Sequence, residues 1–404
     1  MRRIQGMETV LRGAEWDDLP GIGIADGRAF GVTYSEQNMT DIRPFFEPDH
    51  FLVACDPVDK QIVGVTGHFP FAMTVPGGAR LDVPGVTWVS VIPTHRRRGV
   101  LRALLLAQHR RFIQDGMAIS ILTASEGAIY GRFGYGPATT TRSVRIDRRL
   151  VAFRPGAPDP GGVRQVEAGQ AREHAPDVHR RWCARTPGAL SRNPAWWDYQ
   201  FLDRESRRRG GSALFHLVHP DGWAAYRIDE AERCCRVVDL VTVTDKAHIA
   251  LWRVLLGLDL IQAITTHACP LDDPLPFLLA DPRQVRTTDL NDGVWIRLLD
   301  VPAALTHRRY ATDIDVSIEV QDAFLGRGGR FRLRGGPEGA GCEPTDRLAD
   351  AHIEIAALGS LYLGGHRVLA LSRAGLLQVR DDQVLRQLAT GFATDRSPQH
   401  GTEF

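Results

Sequence analysis

The chain has 404 residues, of which 43% are hydrophobic and 24% charged, and a formal net charge of +1. This is ordinary globular composition, long enough for two to four domains. The charge balance excludes a polyanion-binding protein with a wholly basic surface but leaves room for a local basic site.

In chain order, FLVAC (51–55) and QIVGVTGHF (61–69) read as adjacent strands, with hairpin chemistry in the DPVDK between them. GVTWVSVI (85–92) is a β-rich, largely apolar strand that Pro93 ends. THRRRGV follows. Leu101, Leu104, Leu105 and Phe112 then share one face of a helix over about 99–114. AISILTA (118–124) is an apolar strand of buried type. The glycine-rich EGAIYGRFGYGP fills 126–137, and TTTRSVRID (139–147) resumes alternation. Two apolar strands around an amphipathic helix predict a βαβ-like core with parallel neighbours.

FRPGAPDPGGV (153–163) has the composition of a linker. Beyond it, SALFHLVHP, GWAAYRID and RVVDLVTV are strand candidates, and HIALWRVLLGLDLI (248–261) is an apolar helix. The order resembles that of the first unit, but no equivalent of the RRRG at 96–99, set between strand and helix, precedes this helix. A third unit starts at DVPAALTHRRY (300–310). It contains a strand pair, DVSIEVQD and GRFRLR, and a strand running into a helix in ADAHIEIAALGSLYLGG.

No apolar run approaches the roughly 18 residues of a membrane-spanning helix. MRRIQGMETVLRG has arginines but no apolar core behind them, so no signal peptide is expected. The six cysteines, Cys55, Cys183, Cys234, Cys235, Cys269 and Cys342, are dispersed and lack CxxC spacing, and the histidines form no cluster. Buried thiols in a reducing cytosol, a cytoplasmic location and no metal are the expectation.

Three cations at a helix start, Arg96, Arg97 and Arg98, oppose the backbone dipole, which favours negative charge there. They make sense around an anion. Gly99 lets the backbone approach a ligand closely, and the exposed N–H groups of the first turn bind anions. With Arg102 nearby, a multiply charged phosphate is the natural occupant. If the preceding strand leaves an edge unpaired at Val89, Ser90 and Val91, its N–H and C=O groups can hold an extended, amide-bearing ligand. Coenzyme A has both parts, a pyrophosphate and a pantetheine arm with amides. Ser125 lies in ASEG rather than GxSxG, which argues against a serine hydrolase.

VSVIPTHRRRGVLRALL (89–105) resembles the acyl-CoA signature of the GCN5-related N-acetyltransferases. With SEGAIYGRFGYGPAT (125–139) the chain resembles the enhanced intracellular survival (Eis) family of aminoglycoside N-acetyltransferases. The likeness continues through HPDGWAAYRID, ALWRVLLGLD, DPLPFLLAD, VPAAL and GSLYLGG to the final EF. The resemblance implies an α/β (α+β) chain of three parts. Residues 1–150 form an acetyl-CoA-binding acetyltransferase domain. Residues 151–299 form a second domain of that fold without the cofactor motif. Residues 300–404 form a sterol-carrier-protein-like domain whose terminus reaches the active site. It also implies assembly as a homohexamer, acetyl-CoA as co-substrate, a small-molecule amine as acceptor, and neither a nucleic acid nor a membrane as partner.

Carried over by the resemblance, acetyl-CoA contacts fall on Val89, Ser90, Val91, Arg97, Arg98, Gly99, Val100, Leu101, Arg102, Ser125 and Glu126. Leu101 departs from the superfamily loop, where a small residue is usual. Tyr130 takes the place of the general acid. A phenol of pKa about 10 is protonated at neutral pH and can donate to a leaving thiolate. Tyr135, close by, is expected to pack. The resemblance makes the carboxylate of Phe404 the base, a weak one at an α-carboxyl pKa of about 3.5 unless burial raises it. Glu403 adds negative charge suited to a polycation, and Trp88 falls in the substrate channel, where it can offer an ammonium a cation–π face. The family's acidic channel residue has no match: Val32 or Thr33 stands there, with Glu36 nearby.

The expected activity is acetyl transfer to primary amines of aminoglycoside or polyamine-like molecules by direct attack in a ternary complex. Acetylation of a protein or peptide lysine is the alternative within the same chemistry. A lipid-binding protein with a vestigial acetyltransferase fold is the alternative outside it.

Overall fold

In the computed structural model, which describes residues 9–404 and the backbone of Arg2–Arg3, FLVAC and its successor form the expected antiparallel pair. Phe51–Cys55 runs against Ile62–Thr74, with Phe51 opposite Gly67. Ile62–Thr74 pairs on its other edge with Arg80–Val91. The helix Val100–Gln114 follows and buries Val100, Leu104, Leu105 and Phe112. Ile119–Thr123 then lies parallel to Arg80–Val91, so the βαβ reading holds.

Two strands cross between the sequence units. Val294–Leu298, late in the chain, enters the first sheet between Ile119–Thr123 and Gly136–Pro137. Thr140–Asp147, early in the chain, pairs instead in the second sheet, between Val285–Asp292 and Ala263–Cys269. The sheets therefore exchange a strand across the 150/151 division drawn from sequence. Alternation shows that a segment is a strand but does not name its neighbour.

The second sheet continues through Cys234–Thr242, Gly222–Asp229, Phe215–His219 and Arg164–Val166. Helix Asp245–Leu256 packs on it, as does Ala168–Cys183, which was not read from sequence. Ala171, Ala175, Val178 and Trp182 make the buried stripe of Ala168–Cys183. The helix is polar overall and Pro176 sits inside it, so composition masks a stripe that is regular in spacing.

The third unit has a five-stranded sheet in which Ile314–Gln321 pairs antiparallel with Gly329–Gly336 and parallel with Ala351–Glu354. Its helix Ile355–Leu361 docks on the first sheet. Gly136 and Gly359 permit this: a Cβ on Gly359 would stand 2.3 Å from the carbonyl oxygen of Ile296. One apolar core accordingly runs from Val53 and Val65 through Ile296 to Val316, Ile353 and Leu358. No helix among the described residues is long and apolar enough to cross a membrane. All six cysteines are free thiols, and five of them are buried.

Candidate active site

The first sheet opens where the arginine loop begins. Arg80–Val91 pairs with Ile119–Thr123 only through Gly85 to Ile121 and Val86 to Leu122, and beyond Val86 the strands diverge. The cause lies on the other edge. Thr87 pairs with Gly67 and Ser90 with Val65, so Trp88 and Val89 together oppose Thr66. Such a bulge bends its strand. Trp88 takes a φ of 54°, costly for a bulky residue. Its ring is held by stacking on Tyr34 at 5.9 Å and by Phe51 edge-on at 6.5 Å. Gln108, buried on the following helix, accepts from the Thr66 hydroxyl and donates to the Gly67 carbonyl, each at 3.0 Å. It thereby pairs polar groups beside the bulge.

The opening is a cavity of about 750 Å³. Val89, Ser90 and Val91 line one wall, so the unpaired edge anticipated from sequence faces it. Gly99, Val100, Leu101 and Arg102 line its end, and Ser125, Glu126 and Tyr130 the opposite wall. Gly99 precedes the helix at φ 82°, and Arg97 is left-handed at 62°. No side chain caps this helix start, so its first N–H groups have no partner within the helix. An extended acyl chain with amides and a terminal pyrophosphate fits this cradle. The arginines divide their work. Arg97 and Arg102 line the cavity. Arg96 lines it too but also braces the loop, donating to the carbonyls of Val91 at 3.1 Å and Ala29 at 2.7 Å. Arg98 is exposed and outside the lining. His95 lines the cavity while its ring sits 3.6 Å from Asp56.

The two tyrosines separate by position. Tyr130 is 6% exposed and lines the cavity, and burial pushes its pKa up to about 12. It is a neutral donor across the physiological range. Tyr135 is fully enclosed, its hydroxyl hydrogen-bonded to Ser120 at 2.9 Å and His109 at 2.8 Å, and it does not line the cavity.

The chain end arrives from the third unit. The Leu190 N–H donates to the His400 carbonyl at 3.0 Å. Arg192 donates to the Thr402 hydroxyl at 3.1 Å and also to the Gly401 carbonyl. The Thr123 hydroxyl, at the end of Ile119–Thr123, then donates to the terminal carboxylate of Phe404 at 3.1 Å. The Phe404 ring rests on Phe71 at 4.9 Å, in space that a Cβ on Gly85 would invade. Glu403 is exposed. Its hydrogen bond to His400, 3.0 Å long, holds its carboxyl below the usual range. Trp88 lies behind the cavity wall, outside the lining, and Glu36 is exposed on helix Glu36–Ile42.

Asp26 was not singled out from sequence. It is 4% exposed, accepts from the Tyr34 hydroxyl at 2.7 Å and lies against Ser90, and burial raises its pKa. The signal was present: Asp26 shares the buried face of Leu19–Phe30 with Ile22 and Ala25, and a carboxylate on an apolar face calls for a reason. Among the described residues, no group of three or more His, Cys, Asp or Glu could hold a metal.

A second cavity, of about 510 Å³, lies against the tail. It is lined by Thr402 and Glu403, by Trp196 and Tyr199, and by the second sheet at Val238 and Asp239.

Two segments, residues 11–138 and 188–298, match acetyltransferase (GNAT) domains, and residues 301–400 match a sterol carrier protein domain. N-acetyltransferase Eis of Mycobacterium tuberculosis is 40% identical over 96% of this chain and 98% of its own. The chain belongs to the Eis family of GCN5-related N-acetyltransferases. An uncharacterised N-acetyltransferase of Streptomyces coelicolor is 36% identical over 96% of this chain and 97% of its own. The crystal structure of Eis1 from Mycobacterium abscessus superposes with a TM-score of 0.87 at 34% identity, covering 98% of this chain and all of that one. As an Eis-family member the chain is an acetyl-transferring enzyme with two GNAT domains ahead of a sterol-carrier-type domain, and GNAT-fold acetyltransferases use acetyl-CoA.

Proposed function

We propose that the enzyme moves the acetyl group of acetyl-CoA onto a primary amine of a small molecule by direct attack in a ternary complex. The observation that carries this is a strand edge and a phenol lining the first cavity, with the chain end outside the lining but held at Thr123, two residues before the lining residue Ser125. The open strand edge is at Val89, Ser90 and Val91. The neutral Tyr130 phenol is opposite, and the Phe404 carboxylate is held by Thr123. The strand edge and the arginine loop orient the thioester. The Phe404 carboxylate attracts the ammonium and, directly or through water, takes a proton from it. The amine nitrogen then bonds to the acetyl carbon, the carbon–sulfur bond breaks, and Tyr130 donates to the departing sulfur. The ammonium that the tail attracts is the feature shared by aminoglycosides and polyamines, the acceptors the resemblance points to.

Free-thiol release from acetyl-CoA, followed against a panel of aminoglycosides, polyamines and lysine peptides, tests this. Amine-dependent thiol with small amines ahead of peptides is the expected result. A faster rate on peptides would move the acceptor to protein lysines, and no thiol above background with any amine would remove the reading.

A further inference from the structure

The carboxylate of Phe404 sits at a chain end, which frays unless it is tied down. Among the described residues, backbone hydrogen bonds tie the tail as far as His400, whose carbonyl accepts from Leu190. At the far end the Thr123 hydroxyl supplies one hydrogen bond to the carboxylate, and the Phe404 ring rests on Phe71. Between these points stands Arg192. Its Nε donates to the Thr402 hydroxyl at 3.1 Å and its Nη2 to the Gly401 carbonyl. Its Nη1 turns the other way, to Gln200 at 2.9 Å and Asp239 at 2.7 Å, and Gln200 also donates to Asp239 at 3.0 Å. The guanidinium thus joins the tail on one side to a shielded carboxylate on the other. The side chains of Arg192 and Asp239 are only 7% and 13% exposed, and the guanidinium lies 5.0 Å from the centre of the Trp197 ring. The tail is shaped to meet it. Gly401 is left-handed at φ 66°, and a Cβ there would stand 2.4 Å from the Trp182 ring.

Asp239 comes from an opening in the second sheet. Cys234–Thr242 pairs with Ala263–Cys269 from Cys234 to Val237 and no further. On its other edge Val237 opposes Tyr226 and Asp239 opposes Ala225, so Val238 is an extra residue. A bulge beside diverging parallel strands is also what opens the first sheet at Trp88 and Val89. There the opening becomes the cavity behind the arginine loop. In the second sheet no such loop precedes the helix Asp245–Leu256, and the opening presents Asp239 to Arg192 instead. Arg192, Gln200 and Asp239 all belong to the second acetyltransferase segment, 188–298.

We propose that Arg192 is a positioning residue for acetyl transfer, and that the second domain serves the reaction by holding the chain end. Asp239 and Gln200 orient the Arg192 guanidinium, which fixes the turn at Gly401 and Thr402 from which Phe404 reaches Thr123. The proposal rests on the reading of the Phe404 carboxylate as base. Thr402 stands two residues before Phe404, at most roughly 7 Å of chain, so a shift at the clamp passes to the carboxylate with little chain to absorb it. Arginine suits the place because its planar fork reaches both sides at once, which a lysine ammonium on a flexible stem does not.

The experiment uses the full-length enzyme, acetyl-CoA and whichever aminoglycoside or polyamine releases thiol fastest. Arg192→Ala is expected to lower kcat by about ten- to a hundredfold, the cost of misplacing a reacting group by about 1 Å. KM for acetyl-CoA should not change, because the arginine loop is untouched. Arg192→Lys should restore part of the loss. Thr402→Val keeps the Arg192–Asp239 pair and removes only the tail's hydroxyl, and should lower kcat by about three- to tenfold, the worth of one hydrogen bond. The decisive readout is a double-mutant cycle against the chain with one glycine added after Phe404. Where that extension has already misplaced the carboxylate, Arg192→Ala and Thr402→Val should each cost less than about twofold more. A residue that only stabilises the fold would cost the same factor in both backgrounds, and equal factors would overturn the proposal. So would an unchanged kcat in both variants, or a loss carried by KM for acetyl-CoA. If Arg192→Ala does not fold, Thr402→Val decides the cycle. Full activity of the glycine-extended chain would overturn the proposal together with the terminal base and leave acetyl transfer standing. Absence of thiol with every amine in the native chain would overturn acetyl transfer itself.

Discussion

Tyr130, Arg97 and Gln108 each make a separable contribution. Tyr130→Phe removes one hydroxyl from a buried ring and is expected to lower kcat by about a hundredfold or more, with acetyl-CoA binding nearly unchanged by calorimetry. Burial raises the Tyr130 pKa to about 12, so the folded state favours the neutral phenol at pH values where a solvated tyrosine ionises. Activity should accordingly show no alkaline loss traceable to this residue below about pH 11. A kcat profile falling with a midpoint near 10 that vanishes in Tyr130→Phe would contradict this. Arg97→Ala is expected to raise KM for acetyl-CoA by about ten- to a hundredfold with a smaller change in kcat. Arg98→Ala, outside the cavity lining, should change it far less. Steady-state kinetics on the two variants separates a phosphate contact from general surface charge. The sequence marked the arginines as a group but not this division, because which guanidinium turns inward depends on the left-handed backbone at Arg97 and on the carbonyls of Val91 and Ala29 that claim Arg96.

At the scale of elements, the function depends on a bent strand and a docked tail. Arg80–Val91 bends because Trp88 and Val89 share one partner, and Gln108 pairs the polar groups beside that bulge. The apolar strand and its helix were legible from composition and periodicity. The bulge was not, because it is set by register against a neighbouring strand. Gln108→Leu strands two buried polar groups and should lower stability by about 1–3 kcal/mol, read as a reduced denaturation midpoint. The tail depends on Gly85, whose missing side chain makes room for the Phe404 ring. Gly85→Val should displace the ring and lower kcat while the arginine loop still binds acetyl-CoA. One glycine added after Phe404 moves the carboxylate by up to roughly 3.5 Å and should cost about a hundredfold in kcat. Full activity of that extended chain, at matched stability, would remove the terminal carboxylate from the chemistry.

At the scale of the molecule, the three units are one working object. Val294–Leu298 completes the first sheet, Ile355–Leu361 docks on it, and the last residue of the third unit is held by Thr123 of that sheet. A fragment of residues 1–150 would lack a strand between Ile119–Thr123 and Gly136–Pro137 and should neither fold stably nor turn over. The order of three units was legible in the sequence through its motifs. The strand exchange was not, since Thr140–Asp147 and Val294–Leu298 have good strand patterns wherever they pair. The most direct measurement of the central claim is thiol release from acetyl-CoA, with and without a primary amine, in the native chain and in Tyr130→Phe, alongside acetyl-CoA binding by calorimetry. Amine-dependent thiol in the native chain, and its loss in a variant that still binds acetyl-CoA, is the predicted result. Equal turnover by Tyr130→Phe, or thiol release that ignores the amine, would contradict it.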